Sequence, residues 1–260
     1  MQIPIYQVDA FTSRLFAGNP AAVCPLKEWL PDDKMQAIAL ENNLSETAFF
    51  VPEDGYYKLR WFTPKVEVDL CGHATLASAF VIFNELRQDE SEVRFQTRSG
   101  ELIVRRDGDR LTMDFPARPP AECNDVHPDL ITALGGDPEK VLASQDYLVV
   151  YRTEDEVRAL KPDMDPLAQV DRFAVIVTAP GKQVDFVSRF FAPSKGVPED
   201  PVTGRAHTTL IPYWSKRLGK KELHAFQVSP RGGELWCVDR GDRVSISGHA
   251  VRYLTGTIEV

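Results

Sequence analysis

No stretch of this sequence is apolar for long enough to cross a bilayer. The most apolar run, Ala74 to Phe83, is ten residues long and contains Thr75 and Ser78, against the roughly 20 residues a spanning helix needs. The opening MQIPIYQVDA lacks the basic-then-apolar layout of a secretory leader. Cysteine is scarce: Cys24, Cys71, Cys123 and Cys237 are scattered, with no Cys-x-x-Cys pair, which argues against a zinc ribbon or a disulfide scaffold. His73, His127, His207, His224 and His249 show no ligand spacing, which disfavours a metal-dependent hydrolase. Positive charge is in deficit, with 30 Lys and Arg against 38 Asp and Glu and a net charge of −8. That balance argues against nucleic acid or an anionic membrane as partner. No glycine-rich phosphate loop is present, so organic acids are favoured over phosphates as ligands. These absences lead to the expectation of a soluble, cytoplasmic α/β protein without a metal site.

What the chain does have is core-forming material and symmetry. Its 260 residues are 43% hydrophobic and 26% charged, enough for one large domain or two of about 130 residues. Comparing the chain with itself reveals a repeat. Ser99-Gly100-Glu101-Leu102 resembles Gly232-Gly233-Glu234-Leu235, and Asp107-Gly108-Asp109-Arg110 resembles Arg240-Gly241-Asp242-Arg243, both at an offset of 133. Gly72-His73-Ala74 matches Gly204-Arg205-Ala206 at 132, Trp61 to Pro64 matches Phe190 to Pro193 at 129, and Ala48 to Val51 matches Ala174 to Val177 at 126. The five blocks keep their order while the offset drifts, as loop insertions would cause. The plainer alternative is that turn-rich hairpins look alike.

Each half reads as strands, a buried helix and then hairpins. Phe49 to Val51 and Tyr57 to Phe62 are strand-like and separated by Glu53-Asp54-Gly55. After Gly72, apolar residues recur at Leu76, Ala79, Phe80, Phe83 and Leu86, with Val81 and Ile82 widening the stripe, which marks a buried helix. Strands are expected at Glu92 to Thr97, Glu101 to Arg106 and Leu111 to Phe115. The second half repeats the pattern with a helix from about Ala206 to Leu218, ended by Gly219, and strands at Ala225 to Val228, Glu234 to Asp239 and Arg243 to Ile246. The expected fold is therefore α+β: two pseudo-repeated halves, each a mostly antiparallel barrel-like sheet around a central helix. Pro116 to Pro120 marks the boundary, giving halves at 1–117 and 118–260, with the final strand free to pack back on the first. Residues Asn124 to Ser144 are expected to carry a short surface helix.

Both helices start at a glycine turn, Cys71-Gly72-His73 and Thr203-Gly204-Arg205. A helix start exposes unpaired N–H groups and a positive dipole end, which suits a carboxylate or phosphate. A pseudo-twofold axis would turn both starts toward one cleft, with His73, Asp200 and Thr203 at its rim. Glu46, just before a strand, has no matching base in the second half, where the offset of 126 gives Arg172; a single carboxylate suits a one-base proton shuttle. Each of these residues has a bland alternative. Glu46 reads equally as a solvated residue at a helix end, His73 as a packed or capping histidine, and Asp200 before Pro201 as a turn or cap residue. Cys71 at a helix start would have a lowered thiol pKa, or be a small apolar filler.

Taken together, Gly18-Asn19-Pro20-Ala21, Asn43-Leu44-Ser45-Glu46-Thr47-Ala48, Asp69-Leu70-Cys71-Gly72-His73-Ala74-Thr75, Phe191-Ala192-Pro193, Glu199-Asp200-Pro201-Val202-Thr203-Gly204 and Arg231-Gly232-Gly233-Glu234 resemble the phenazine-biosynthesis PhzF family. They span nearly the whole chain. The resemblance implies the diaminopimelate-epimerase-like fold, two similar halves with the site between them. The family's best-understood member isomerises trans-2,3-dihydro-3-hydroxyanthranilate by moving a proton, without cofactor. By the same resemblance, Glu46 is the proton carrier, supported by His73 and Asp200; the helix-start residues Gly72, Ala74, Thr203 and Gly204, with Arg205, are expected to bind the substrate. Arg205 stands where the family usually has Ser, and either adds a charged fork for a more anionic substrate, carboxylate or phosphate, or blocks the pocket. The partners implied are a small carboxylate substrate and a second copy in a homodimer. The competing readings are a small-acid binding protein that has lost the chemistry, and an epimerase or racemase, for which Cys71 lacks a second cysteine.

Overall fold

The computed structural model describes residues 1–260 and sorts them into two units, Met1–Asp114 with Ser247–Val260, and Phe115–Ile246. The first unit runs β1 (Gln2–Ala10), β2 (Asn19–Pro25), α1 (Asp32–Asn42), β3 (Glu46–Glu53), β4 (Tyr56–Phe62), β5 (Glu67–Val68), α2 (Gly72–Val81) with a π-helical turn at Ile82–Leu86, β6 (Glu92–Thr97), β7 (Gly100–Asp107) and β8 (Arg110–Pro116). The second runs β9 (Ala121–Glu122), α3 (Asp129–Leu134), β10 (Lys140–Ala143), β11 (Tyr147–Val150), α4 (Glu154–Ala159), α5 (Met164–Leu167), β12 (Val175–Pro180), β13 (Phe186–Ala192), β14 (Val197–Asp200), α6 (Gly204–Leu218), β15 (Glu222–Gln227), β16 (Gly233–Asp239) and β17 (Arg243–Gly248). The last strand, β18 (Ala250–Glu259), pairs antiparallel with β1, Gln2 opposite Glu259. Residues 247–260 thus belong to the first unit.

The two units share one order of strand pairing. In the first, β1–β2 is antiparallel, β2–β3 parallel, β3–β4 and β4–β5 antiparallel, β4–β6 parallel and β6–β7 antiparallel. In the second, β10–β11, β11–β12, β12–β13, β13–β14, β13–β15 and β15–β16 repeat that series step for step. The sheet is mixed, where the sequence suggested mostly antiparallel hairpins. Parallel pairing arises because β4 and β6 are joined through α2, and β13 and β15 through α6. A strand pair bridged by a helix returns in the same direction.

The helices answer to their sequences. Alanines at 74, 77 and 79 favour helix, and α2 is buried at eight positions, among them His73, Leu76 and Val81. It packs on β1, β2 and β3. Helix α6 contains Pro212, which cannot donate to the carbonyl four residues back. That carbonyl, of Thr208, accepts the Arg118 N–H at 2.9 Å instead, so the proline-rich stretch is pinned to the helix. Gly219 ends α6 at φ 67. Indole stacking of Trp214 on Phe186, 5.6 Å apart and nearly coplanar, together with a 2.9 Å bond from Trp214 Nε1 to Thr178 Oγ1, locks α6 onto its strands. The helix expected on the surface between 124 and 144 is α3, and its Leu130, Ala133 and Leu134 are core residues. No helix is long and apolar enough to cross a membrane.

Candidate active site

In the first unit, three elements deliver polar side chains to one buried point. Asn43, left-handed at φ 48, ends α1 and lets the chain turn into β3, whose first residue is Glu46. Cys71 precedes α2 in an extended conformation, and its carbonyl accepts the Thr75 hydroxyl at 2.6 Å. His73 is the second residue of α2 and 5% exposed. Its Nε2 stands 3.1 Å from Glu46 Oε2, and the Glu46 side chain is 17% exposed. On the opposite side of the ring, Nδ1 lies 3.1 Å from Asn19 Nδ2 and 3.5 Å from Cys71 Sγ. Asn19 is wholly buried.

Asn19 opens β2, and its neighbours fix it there. Gly18 has φ +67, and a Cβ on it would stand 2.2 Å from the Ala10 carbonyl oxygen; only glycine fits so close a pass. Pro20 confines Asn19 to extended backbone. The Gly18-Asn19-Pro20 string therefore builds one arm of the site. Sequence reasoning noted the string and gave Asn19 no role, because its contact with His73 lies 54 residues away.

The electrostatics follow from burial. Burial opposes charge on His73, but the Glu46 carboxylate beside it outweighs burial and holds its pKa well above the usual value. Burial, reinforced by the Glu46 charge, pushes the Cys71 thiol up to about 11. The lowered thiol pKa expected from the helix start does not occur, because the dipole argument is local and the desolvation comes from the whole unit. No side-chain oxygen caps the α2 start; the Ala74 N–H faces the Cys71 sulfur, and the Gly72 N–H lies in the open first turn. One oxygen of Glu46, Cys71 Sγ and a ring nitrogen of His73 fall within 4.8 Å of one another, a set that could hold a metal ion. Glu46 and Cys71 approach opposite nitrogens of the ring, however, and one ion would take one nitrogen and break the contact at the other.

The second unit gathers its own cluster at the start of α6. The Thr203 hydroxyl donates to Asp200 Oδ2. The Thr203 N–H donates to Gln227 Oε1 at 2.9 Å, and Gln227 Nε2 donates to the Asp200 carbonyl at 2.7 Å. Gly204 begins the helix. Arg205 directs Nε and Nη2 to the two oxygens of the buried Asp146, at 3.1 and 2.8 Å, and lies over the Phe173 ring at 4.0 Å. The fork expected to grip a ligand is thus occupied by a carboxylate of the chain itself, and Nη1 is the guanidinium nitrogen that Asp146 does not take. His207, wholly buried, contacts the Thr203 carbonyl through Nδ1 at 2.9 Å, and burial depresses its pKa to about 4.

A model of the "Phenazine biosynthesis-like protein" family matches residues 8–256. The chain is 56% identical to an uncharacterized isomerase of Pseudomonas aeruginosa, covering all of both sequences. Among solved structures it resembles a phenazine biosynthesis protein of the PhzF family from Enterococcus faecalis, with a TM-score of 0.98, 47% identity and complete coverage of both chains. A hydroxyproline epimerase from Agrobacterium vitis, 10% identical, shares the fold at a TM-score of 0.62, with 99% of this chain and 92% of that one covered. The fold is thus the one PhzF-type proteins and epimerases hold in common, and the chain belongs to the PhzF-like phenazine biosynthesis family.

Proposed function

We propose that this protein is a cofactor-independent isomerase that moves a proton on a small carboxylic acid, with Glu46 as the acid/base group. The observation that carries the reading is the 3.1 Å contact between Glu46 Oε2 and buried His73 beside an uncapped helix start. Oε2 is buried and stands 3.1 Å from His73 Nε2, and Oε1 is assigned to the substrate. Oε1 takes a proton from a carbon next to an unsaturated or carbonyl-bearing system and returns it at another carbon on the same face. The N–H groups of Gly72 and Ala74 hold a substrate carboxylate, and His73 supports the charge that develops. Asp200 is assigned a supporting role on the family resemblance, and Thr203, Gly204 and Nη1 of Arg205 are assigned to substrate binding from their place at the second helix start. The same reading takes the two units as duplicated copies, each sheet closing around its helix, on the strength of the repeated pairing order.

Proximity separates this reaction from epimerisation. Two bases on opposite faces of one carbon, each about 3 to 3.5 Å from it, must be roughly 6 to 7 Å apart. One oxygen of Glu46 and the Cys71 sulfur lie within 4.8 Å of each other, short of that spacing, which favours a shift on one face. The isomerase names of the relatives support the reaction class.

The test is deuterium uptake from heavy water into a panel of cyclic and unsaturated carboxylic acids, read by NMR, with wild type and Glu46→Gln in parallel. Exchange in wild type alone is the expected result. Exchange that survives in Glu46→Gln would overturn the assignment, and binding without exchange in either protein would replace the enzyme with a small-acid binding protein.

A further inference from the structure

His73 is enclosed, so any change in its protonation must be met by the groups that touch it. Glu46 Oε2 stands 3.1 Å from Nε2, and the carboxylate charge favours a proton on that nitrogen whether the ring is neutral or charged. Nδ1 is harder to satisfy, because it must accept when the ring is neutral and donate when it is charged. Cys71 Sγ, at 3.5 Å, is a weak hydrogen-bonding group in either direction. Its thiol, pushed up to about 11, stays protonated through the neutral range. Asn19 is different. Its planar carboxamide carries a donor and an acceptor in nearly the same outline. As seen, Nδ2 stands 3.1 Å from Nδ1 and donates to a neutral ring; a half turn of the amide puts Oδ1 in that place to accept from Nδ1–H.

We infer that Asn19 is a positioning residue that lets His73 gain and lose a proton during turnover, its carboxamide donating to the neutral ring and turning over to accept from the charged one. The turnover clause rests on the Glu46 reading. The inference explains why this position carries Asn in a backbone so tightly specified by Gly18 and Pro20. Asp has nearly the same shape and only accepts, and Leu has nearly the same size and does neither.

The experiment follows the His73 ring by NMR in 15N-histidine-labelled wild type, Asn19→Asp and Asn19→Leu, with His73→Gln to assign the signal and circular dichroism to check folding. Asn19→Asp is expected to raise the His73 titration midpoint by about one pKa unit or more, and Asn19→Leu to lower it by a similar amount, tenfold in each equilibrium. Heavy-water exchange on the acid panel should slow in both, about tenfold or more. Equal midpoints in all three proteins would overturn the inference, as would shifted midpoints with unchanged exchange rates. Shifted midpoints with no exchange even in wild type would uphold the hold of Asn19 on His73 and remove the Glu46 reading.

Discussion

Two buried histidines sit at the starts of the two long buried helices, and their environments drive them in opposite directions. His73 lies between a carboxylate and a thiol, and its pKa is raised. His207 lies near Phe186, with the Thr203 carbonyl as its polar contact, and its pKa falls to about 4. Desolvation acts on both, so the neighbours decide. The contrast extends to the whole helix starts. Around His73, two of the three polar neighbours, Glu46 and Cys71, are titratable; around Thr203 and Arg205, the polar groups are tied to amides, carbonyls and a buried carboxylate. The first arrangement suits proton transfer and the second suits holding a shape.

The sharpest way to break this comparison is Glu46→Gln. Removing the carboxylate should reduce heavy-water exchange roughly a thousandfold, within the usual range for a general acid/base. It should also let burial lower the His73 pKa toward the behaviour of His207, which NMR titration would detect. An unchanged His73 titration would show that Glu46 is not what distinguishes the two histidines.

Stability against pH provides the next test. His207 has its folded pKa depressed from 6.5 to about 4, so the unfolded chain binds more protons in that window. Its contribution is intact above pH 6.5 and is lost as pH falls toward 4, by about 3 kcal/mol. His73 works the other way: its contribution is full below 6.5 and is lost as pH rises through its raised folded value. Urea midpoints between pH 7 and 4 should fall less steeply in His207→Gln than in wild type.

Arg205→Ser, which installs the family's usual residue, should cost about 3 kcal/mol, because it strands the buried Asp146 carboxylate. Adding Asp146→Asn should restore much of that loss in urea denaturation. Additive costs would mean that the pair does not hold the second helix start. The smallest expected effect is Gly18→Ala, about 2 kcal/mol from the left-handed backbone and the contact with Ala10. A thermal melt would measure it.

The sequence was most legible where local pattern and local structure coincide. Glu92 to Thr97 is a strand with those ends. The all-round apolar stripe after Gly72 is a buried helix, and Gly219 stops α6. What could not be read depends on distant partners. The parallel pairings of β4 with β6 and β13 with β15 leave no trace in residue alternation. Asn19 has no role in the sequence until His73 is placed beside it. Arg205 reads as a ligand fork until Asp146 meets it from 59 positions away. Cys71 misleads for the same reason, since its desolvation is set by the folded unit.

The pairing of β1 with β18 has a consequence for synthesis. Met1 and Val260 exchange backbone hydrogen bonds, Met1 N to Val260 O at 2.5 Å and Val260 N to Met1 O at 2.8 Å. A growing chain delivers residues 1–114 long before 250–259, so β1 must wait with one edge unsatisfied while the whole second unit emerges. Closing a loop of that length is slow. The second unit, continuous in sequence, can fold on the ribosome, whereas the unit that carries Glu46 and His73 is completed only after the C-terminal strand leaves the exit tunnel.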